Sequence, residues 1–290
     1  RPPRSTLFPY TTLFRSTVAT NGSSNVAQVA TNLDASTKYE YRLLQNDTNS
    51  EPEEFTTEDD IQLPNSGFED WYTDSDGLPK PAKDASSSFW DCGNVNYFGK
   101  HIMTTQNDET ALGQGSSVKM ETQETMKIIA AGNIFTGTFE RDGMGGILTL
   151  GRNFECRPNK LKGYYKYTSA KVSVSKGHLN EGEDDLCSLY IALTDEQITV
   201  NTNKGIYFDP NSSAVIAYGS ISDEESKGAD SFKEFTVDLE YKDLKRIPKY
   251  IIVVASSSKY GDYMEGGKGS TMWLDDLELV YPKSMEEVRK

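Results

Sequence analysis

Residues 250–281 read YIIVVASSSKYGDYMEGGKGSTMWLDDLELVY. An unbroken apolar run from Tyr250 to Ala255 leads into a polar loop, Ser256 to Ser270, after which a second segment alternates through Trp273, Asp275, Leu277 and Leu279. Two strands and one loop are expected. Period-two alternation places Asp275 on the same side as Trp273, Leu277 and Leu279, with Leu274, Asp276 and Glu278 pointing the other way. A carboxylate on the core side needs a partner, because an unpaired buried charge is among the costliest groups a fold can carry.

The matching carboxylate lies about two hundred residues upstream, where LPNSGFEDW (Leu63 to Trp71) sets Glu69 between aromatics. The two passages resemble the opening and closing strands of jelly-roll carbohydrate-binding modules, which begin with a segment like NxxFExW and finish with one like hhDDhxh. Further motifs in the same order are AAGNIFTGTF (Ala130 to Phe139) and RPNKLKGYYKY (Arg157 to Tyr167). Together with the closing segment they resemble the Putative carbohydrate metabolism domain (PCMD) of Bacteroidetes surface proteins, over roughly Ile61 to Pro282. The resemblance implies an all-β jelly-roll sandwich, and a cell-surface or periplasmic protein that takes part in glycan recognition or use beside neighbouring surface glycan-utilisation proteins.

Composition limits the alternatives. The 290 residues are enough for one large domain or two smaller ones with a core that needs no covalent staples. Thirty basic residues against 44 acidic ones give a net charge of −14, which argues against a nucleic-acid partner or an anionic membrane surface. Cys92, Cys156 and Cys187 are odd in number and lack CxxC pairing, and with only His101 and His178 beside them a zinc or iron–sulfur site has little to be built from. They read as small buried hydrophobes forming no disulfide. No run approaches the ~18 apolar residues of a membrane span, and no signal peptide is recognisable.

The first sixteen residues, RPPRSTLFPYTTLFRS, carry three prolines and no strand or helix period. They resemble translated sequencing-adapter read-through and are set aside from the fold. Without Arg1, Arg4 and Arg15 the balance becomes 27 basic to 44 acidic, so the acidity belongs to the rest of the chain. The native start, with any signal peptide or lipid-attachment cysteine, is expected to lie upstream. Residues 17–58 read as short strands. Leu33, Thr37, Tyr39 and Tyr41, with Phe55-Thr56-Thr57 closing, resemble the last strands of a fibronectin type III or immunoglobulin-like domain, including a tyrosine corner. Only half such a sandwich is present. Glu58-Asp59-Asp60 reads as a solvated linker, residues 61–282 as a domain that should fold alone, and 283–290 as a tail.

Within that domain short strands recur at near-regular spacing: Ser116 to Thr122, Lys127 to Phe139 interrupted at Gly132-Asn133 by a bulge or close backbone approach, then RPNKLKGYYKYTS, LCSLYIALTD, IYFDP, AVIAYGSI and FKEFTVDLEY. The pattern predicts two packed antiparallel sheets. Asp74, Asp76 and Gly77 read as a turn rather than a calcium loop, since the glutamate at EF-hand spacing is missing. GMGG at 143–146 reads as a turn without the lysine and helix of a phosphate loop.

Sugar-binding candidates come from aromatics set among amides and glycines, since pyranose rings offer apolar faces for stacking and hydroxyls for polar groups. FWDCGNVNYFGKH supplies Trp90, Asn94, Asn96 and Tyr97, and two readings compete for Trp90 and Phe98: sugar platform or sandwich core. Alternation puts Tyr165 and Tyr167 on one face, where they line a cleft or fill core, and the SKYGDY loop adds Tyr260 and Asp262. No catalytic residue is assigned. A glycosidase needs two carboxylates flanking a cleft, and no pair stands out from the solvent-facing acids; neither histidine sits in a recognisable nucleophile setting. Glycan binding therefore ranks first, a carbohydrate-active enzyme with a carboxylate pair second, and a structural or adhesion module third. For Glu69 and Asp275 two readings are open. In one they hold a structural calcium ion, as the resemblance implies and hard oxygen ligands favour; in the other Asp275 caps backbone amides while Glu69 pairs with a lysine.

Overall fold

The computed structural model describes residues 35–41, 44–45 and 48–281; the adapter-like segment, the first strand expected within 17–58 and the 283–290 tail lie outside the described residues. The fold is an all-β, jelly-roll sandwich. The strands that build it are, in chain order, β1 (Thr104–Asn107), β2 (Ser117–Glu121), β3 (Asn133–Asp142), β4 (Gly145–Leu150), β5 (Lys160–Thr168), β6 (Ser188–Thr194), β7 (Ile198–Asn201), β8 (Val215–Ser220), β9 (Ala229–Asp238), β10 (Glu240–Tyr241), β11 (Tyr250–Ser256) and β12 (Thr271–Val280). The smaller sheet has the order β1-β2-β12-β5-β9 and the larger the order β7-β4-β3-β11-β6-β8-β10, every pairing between them antiparallel. Trp90–Asp91 adds to β3, and Arg152–Asn153 to β11.

The core lies between the sheets and follows from alternation. Leu189, Ile191 and Leu193 of β6 and Ile251, Val253 and Ala255 of β11 face Leu161, Tyr165 and Tyr167 of β5, Phe235 and Val237 of β9, and Met272, Leu274, Leu277 and Leu279 of β12. The intervening residues of the larger sheet, among them Ala192, Val215 and Ile252, point away and join a second apolar cluster with Phe135, Leu148, Leu150 and Val200. Both faces of the larger sheet are thus apolar. That explains the unbroken Tyr250–Ala255 run, which has no polar phase to show.

The closing strand departs from strict alternation. Its core residues are even-numbered up to Leu274 and odd-numbered from Leu277. The phase changes at Asp276, which is exposed with φ +47, and there the register with β5 slips, Tyr164 facing Asp275 but Lys162 facing Glu278. An extra residue in one strand does this. Asp275 therefore does share a side with Trp273, as expected, but that side is the outer one; Leu277 and Leu279, expected with them, point into the sandwich. Trp273 lies under the Lys166 ammonium at 4.4 Å, and Asp275 is buried by the 108–116 loop, whose Ala111 amide donates to its Oδ2 at 2.8 Å.

Gly132 interrupts its segment for the reason expected. A Cβ there would lie 2.3 Å from Glu121 N and 2.7 Å from Met103 O, so only glycine lets the two backbones approach this closely, and the chain pairs as Ile128–Ala130 before it and as β3 after it. Two expectations need correction. LPNSGFEDW is a turn rather than an opening strand, with Asn65 and Phe68 at positive φ, and it docks on β12 through Leu277 N donating to Ser66 O and through the Gln62 side-chain amide, which bonds Leu279 N and O. IYFDP is a loop. Upstream, Lys38–Tyr41 and Glu53–Thr56 form a two-stranded ribbon with Tyr39 stacked on Phe55, and the Tyr41 hydroxyl donates to the Glu53 carboxylate on the facing strand. Among the described residues no helix is long and apolar enough to cross a membrane.

Candidate functional site

The outward face of the larger sheet carries a chain of aromatic rings. On β6, alternation that sends Leu189 and Ile191 inward sends Tyr190 outward, and on β8 it leaves Tyr218 on the same face. The 206–210 loop lays Phe208 across them, stacked on Tyr190 at 4.9 Å and within 6.1 Å of Tyr218. The neighbouring Tyr207 packs on Tyr263 at 4.0 Å. Tyr263 belongs to a single 3-10 turn, Gly261–Tyr263, that follows β11, and between Tyr263 and Tyr260 sits the His178 ring, 4.3 Å from each and nearly parallel to Tyr260. Tyr190, Tyr207, Phe208, Tyr218, Tyr260 and Tyr263 are all partly accessible.

Two carboxylates next to Tyr260 and Tyr263 have opposite character. Glu265 is fully buried and saturated: it accepts from the amides of Lys176, His178 and Leu179 and from His178 Nδ1 at 3.0 Å. Burial pushes its pKa up, yet the bonds from Leu179 and His178 outweigh that and hold it below the usual carboxylate range. Asp262 is half-buried and lies close to Tyr190, whose phenol is pushed upward by burial first and then by the Asp262 charge; Asp262 itself has no hydrogen-bond or salt-bridge partner among the described residues. Burial alone pushes Asp262 up to about 6.

A second polar region lies at the edge where the LPNSGFEDW turn meets the 108–116 loop. Glu69 accepts from Ser116 N at 3.0 Å and Ser116 Oγ at 2.8 Å, and Gly115, at φ +77, leaves the room its carboxylate occupies. These residues, with Gln106, Asn107 and Asp108, line an open depression of about 520 Å³. Asp275 lies beneath the same loop. Burial first, then the charges of Asp276 and Glu69, push its carboxyl up to about 6 against the pull of the Ala111 amide. Among the described residues no three His, Cys, Asp or Glu side chains are grouped to hold a metal ion.

The family model described as Putative carbohydrate metabolism domain matches residues 29–280. The chain belongs to this family. Two crystal structures share the PCMD chain's fold. One, described as a putative glycoside hydrolase from Bacteroides thetaiotaomicron VPI-5482, is 23% identical with a TM-score of 0.59, over 85% of this chain and 79% of that one. The other, described as a putative glycoside hydrolase from Bacteroides vulgatus ATCC 8482, is 22% identical with a TM-score of 0.58, over 76% of this chain and 97% of that one. At these identities the likeness is one of fold. No curated protein sequence matches.

Against this geometry the residues expected from sequence divide. Tyr260 and Asp262 lie on the aromatic face of the PCMD fold. Trp90, Asn94, Tyr165 and Tyr167 do not, and this is a correction: all four are buried in the sandwich or its seams. Trp90 packs edge-on against Phe68 and donates its indole N–H to Pro64 O at 2.7 Å, Asn94 bonds Pro79, Met103 and Thr104 through its amide, and Tyr165 donates to Glu225 O. Asn96 and Tyr97 are on a separate hairpin, Val95–Asn96 with Lys100–His101, where Arg141 covers Tyr97 at 4.1 Å. Sequence reasoning missed Tyr190, Tyr207, Phe208, Tyr218, Tyr263 and His178. A signal existed for Tyr190, which occupies the phase opposite to Leu189, Ile191 and Leu193; none existed for His178, whose setting is made by residues 82 to 87 positions away.

Proposed function

We propose that this chain is a glycan-binding module at the cell surface or in the periplasm, taking a polysaccharide or oligosaccharide on the face formed by Tyr190, Phe208, Tyr218, Tyr260 and Tyr263, beside neighbouring surface glycan-utilisation proteins. What carries the reading is the aromatic face itself: partly accessible rings over an apolar floor, with an unpartnered carboxylate at Asp262 and the His178 ring beside it. Rings of this kind meet the C–H faces of pyranoses, and a few polar groups fix orientation through hydroxyls. Membership in a carbohydrate-related family supports it. The test is a glycan panel with the whole chain, followed by Tyr218→Ala and Tyr260→Ala. Loss of binding with the fold kept supports the face, and binding of a protein partner with no glycan bound turns the reading toward an adhesion module.

A glycoside hydrolase is the second reading, favoured by Asp262, whose carboxyl at about 6 suits a general acid. Hydrolysis also needs a second carboxylate free to act on the sugar. Glu265, three residues on, already gives its oxygens to four donors. Binding therefore ranks above cleavage.

The proposal includes a structural calcium ion with Glu69 and Asp275 as carboxylate ligands and backbone carbonyls completing the shell. It is supported by a buried carboxylate with no cation beside it among the described residues and by the acidic, oxygen-rich surroundings of Glu69. Both carboxylates would then share the ion with the amides they already engage.

A further inference from the structure

We infer that Asp262 makes the aromatic face selective by charge, so that it takes neutral glycans and rejects those carrying uronate or sulfate groups. The inference rests on the glycan-binding reading above and adds the class of sugar to it.

Asp262 lies within the 3-10 turn that also presents Tyr260 and Tyr263, and it lies near Tyr190 on the sheet. Its side chain is held by nothing: no salt bridge and no hydrogen bond among the described residues engages it, and its displacement from ordinary carboxylate behaviour has burial as the sole cause, with no cation contributing. Two charged groups close to it in the chain are committed elsewhere. Glu265 is closed by its four donors, and Lys259 pairs with Asp223. A free carboxylate at the edge of an apolar surface accepts from sugar hydroxyls, which donate readily. A second anion brought against it loses its own hydration and finds like charge, the arrangement by which sites reject a wrong partner.

The overall charge of −14 also repels anions, but that long-range field fades beyond about 8 Å at 0.15 M salt, whereas a contact at Asp262 lies inside that distance. Salt therefore separates the two causes.

The experiment uses the full chain and matched ligands that differ in charge alone: a panel of uronate-containing oligosaccharides and the same oligosaccharides after chemical reduction of each carboxylate to a hydroxymethyl group. Affinities are measured by calorimetry in 0.15 M and 0.5 M salt at pH 7.5. The expected result is that the native chain binds at least one reduced oligosaccharide and binds its uronate form about tenfold or more weakly at both salt concentrations. Asp262→Asn closes that gap, while Asp262→Glu, which keeps the charge, preserves it; thermal melts establish that both variants are folded. Equal affinity of the native chain for the two forms overturns the inference and leaves glycan binding standing, as does a gap that Asp262→Asn leaves unchanged. Failure of the folded native chain to bind any member in either form removes the glycan-binding reading, and the inference with it.

Discussion

The buried Glu265 carboxylate pairs with the solvent-facing His178 imidazole, Oε2 to Nδ1 at 3.0 Å, which ties the 176–179 loop to the turn after β11 and sets the imidazole flat against Tyr260. Glutamine at 265 has the same shape but turns one acceptor into a donor facing amide N–H groups. Glu265→Gln should lower stability by about 1.5–3 kcal/mol, the usual range for hydrogen bonds to a charged group. His178→Ala leaves the three amide bonds to Glu265 in place and should cost less. Urea denaturation of both variants checks the order; equal stability of Glu265→Gln and the native chain would show that the pair does not hold the loop.

Ring truncations should separate surface from core. Tyr218→Ala and Tyr260→Ala remove partly accessible rings and should weaken glycan binding by about 1–2 kcal/mol or more if they are central to it. Trp90→Ala empties a fully buried site against Phe68 and should cost about 3–5 kcal/mol of stability, with affinity per folded molecule retained. Calorimetry and thermal melts on the three variants decide; a Trp90→Ala chain that stays stable but loses binding would reverse the assignment.

Asp275 should make stability depend on pH in the direction opposite to a salt-bridged acid. Its carboxyl is raised to about 6 in the folded chain, so the native state holds the proton more tightly than the unfolded one. Its destabilising effect is absent below about pH 4, grows as pH rises towards 6, and is complete above that, amounting to about 3 kcal/mol. Asp262, also raised to about 6, adds to the same trend, so the comparison is made between Asp262→Asn and Asp262→Asn/Asp275→Asn. In chelator, the second variant should be the more stable at pH 7.5 and the two should converge near pH 4.

Calcium changes that outcome. If Glu69 and Asp275 bind the ion, millimolar calcium raises the melting temperature of the native chain by mass action and fails to do so for Asp275→Asn. Melts in excess chelator against millimolar calcium settle it. A native melting temperature indifferent to calcium would leave Asp275 a structural acid bonded to Ala111.

The thiols should be silent in the folded chain. Burial pushes Cys92 and Cys187 up to about 12 and also raises Cys156, so little reactive thiolate exists at neutral pH. Alkylation should be slow in buffer and reach three groups in denaturant. Mass spectrometry that finds a linked pair in the native chain would overturn this.

The amino-acid sequence by itself determined the period-two strands, the all-β sandwich and its family, the glycine needed where Gly132 passes Glu121, and the presence of Tyr260 and Asp262 in one polar loop. These are legible because alternation and close backbone approach are local properties of neighbouring residues. Only the tertiary structure decided which alternating face is covered. Trp90 and Tyr165 have the same chemistry as Tyr190 and Tyr218, yet the first two fill the space between the sheets while the others remain on the outer face, and the single extra residue at Asp276 moves Asp275 away from the core to which strict alternation assigns its side. The aromatic face brings together residues from 178 to 263 through five separate segments, and a pattern read along the chain has no term for contacts made across such distances.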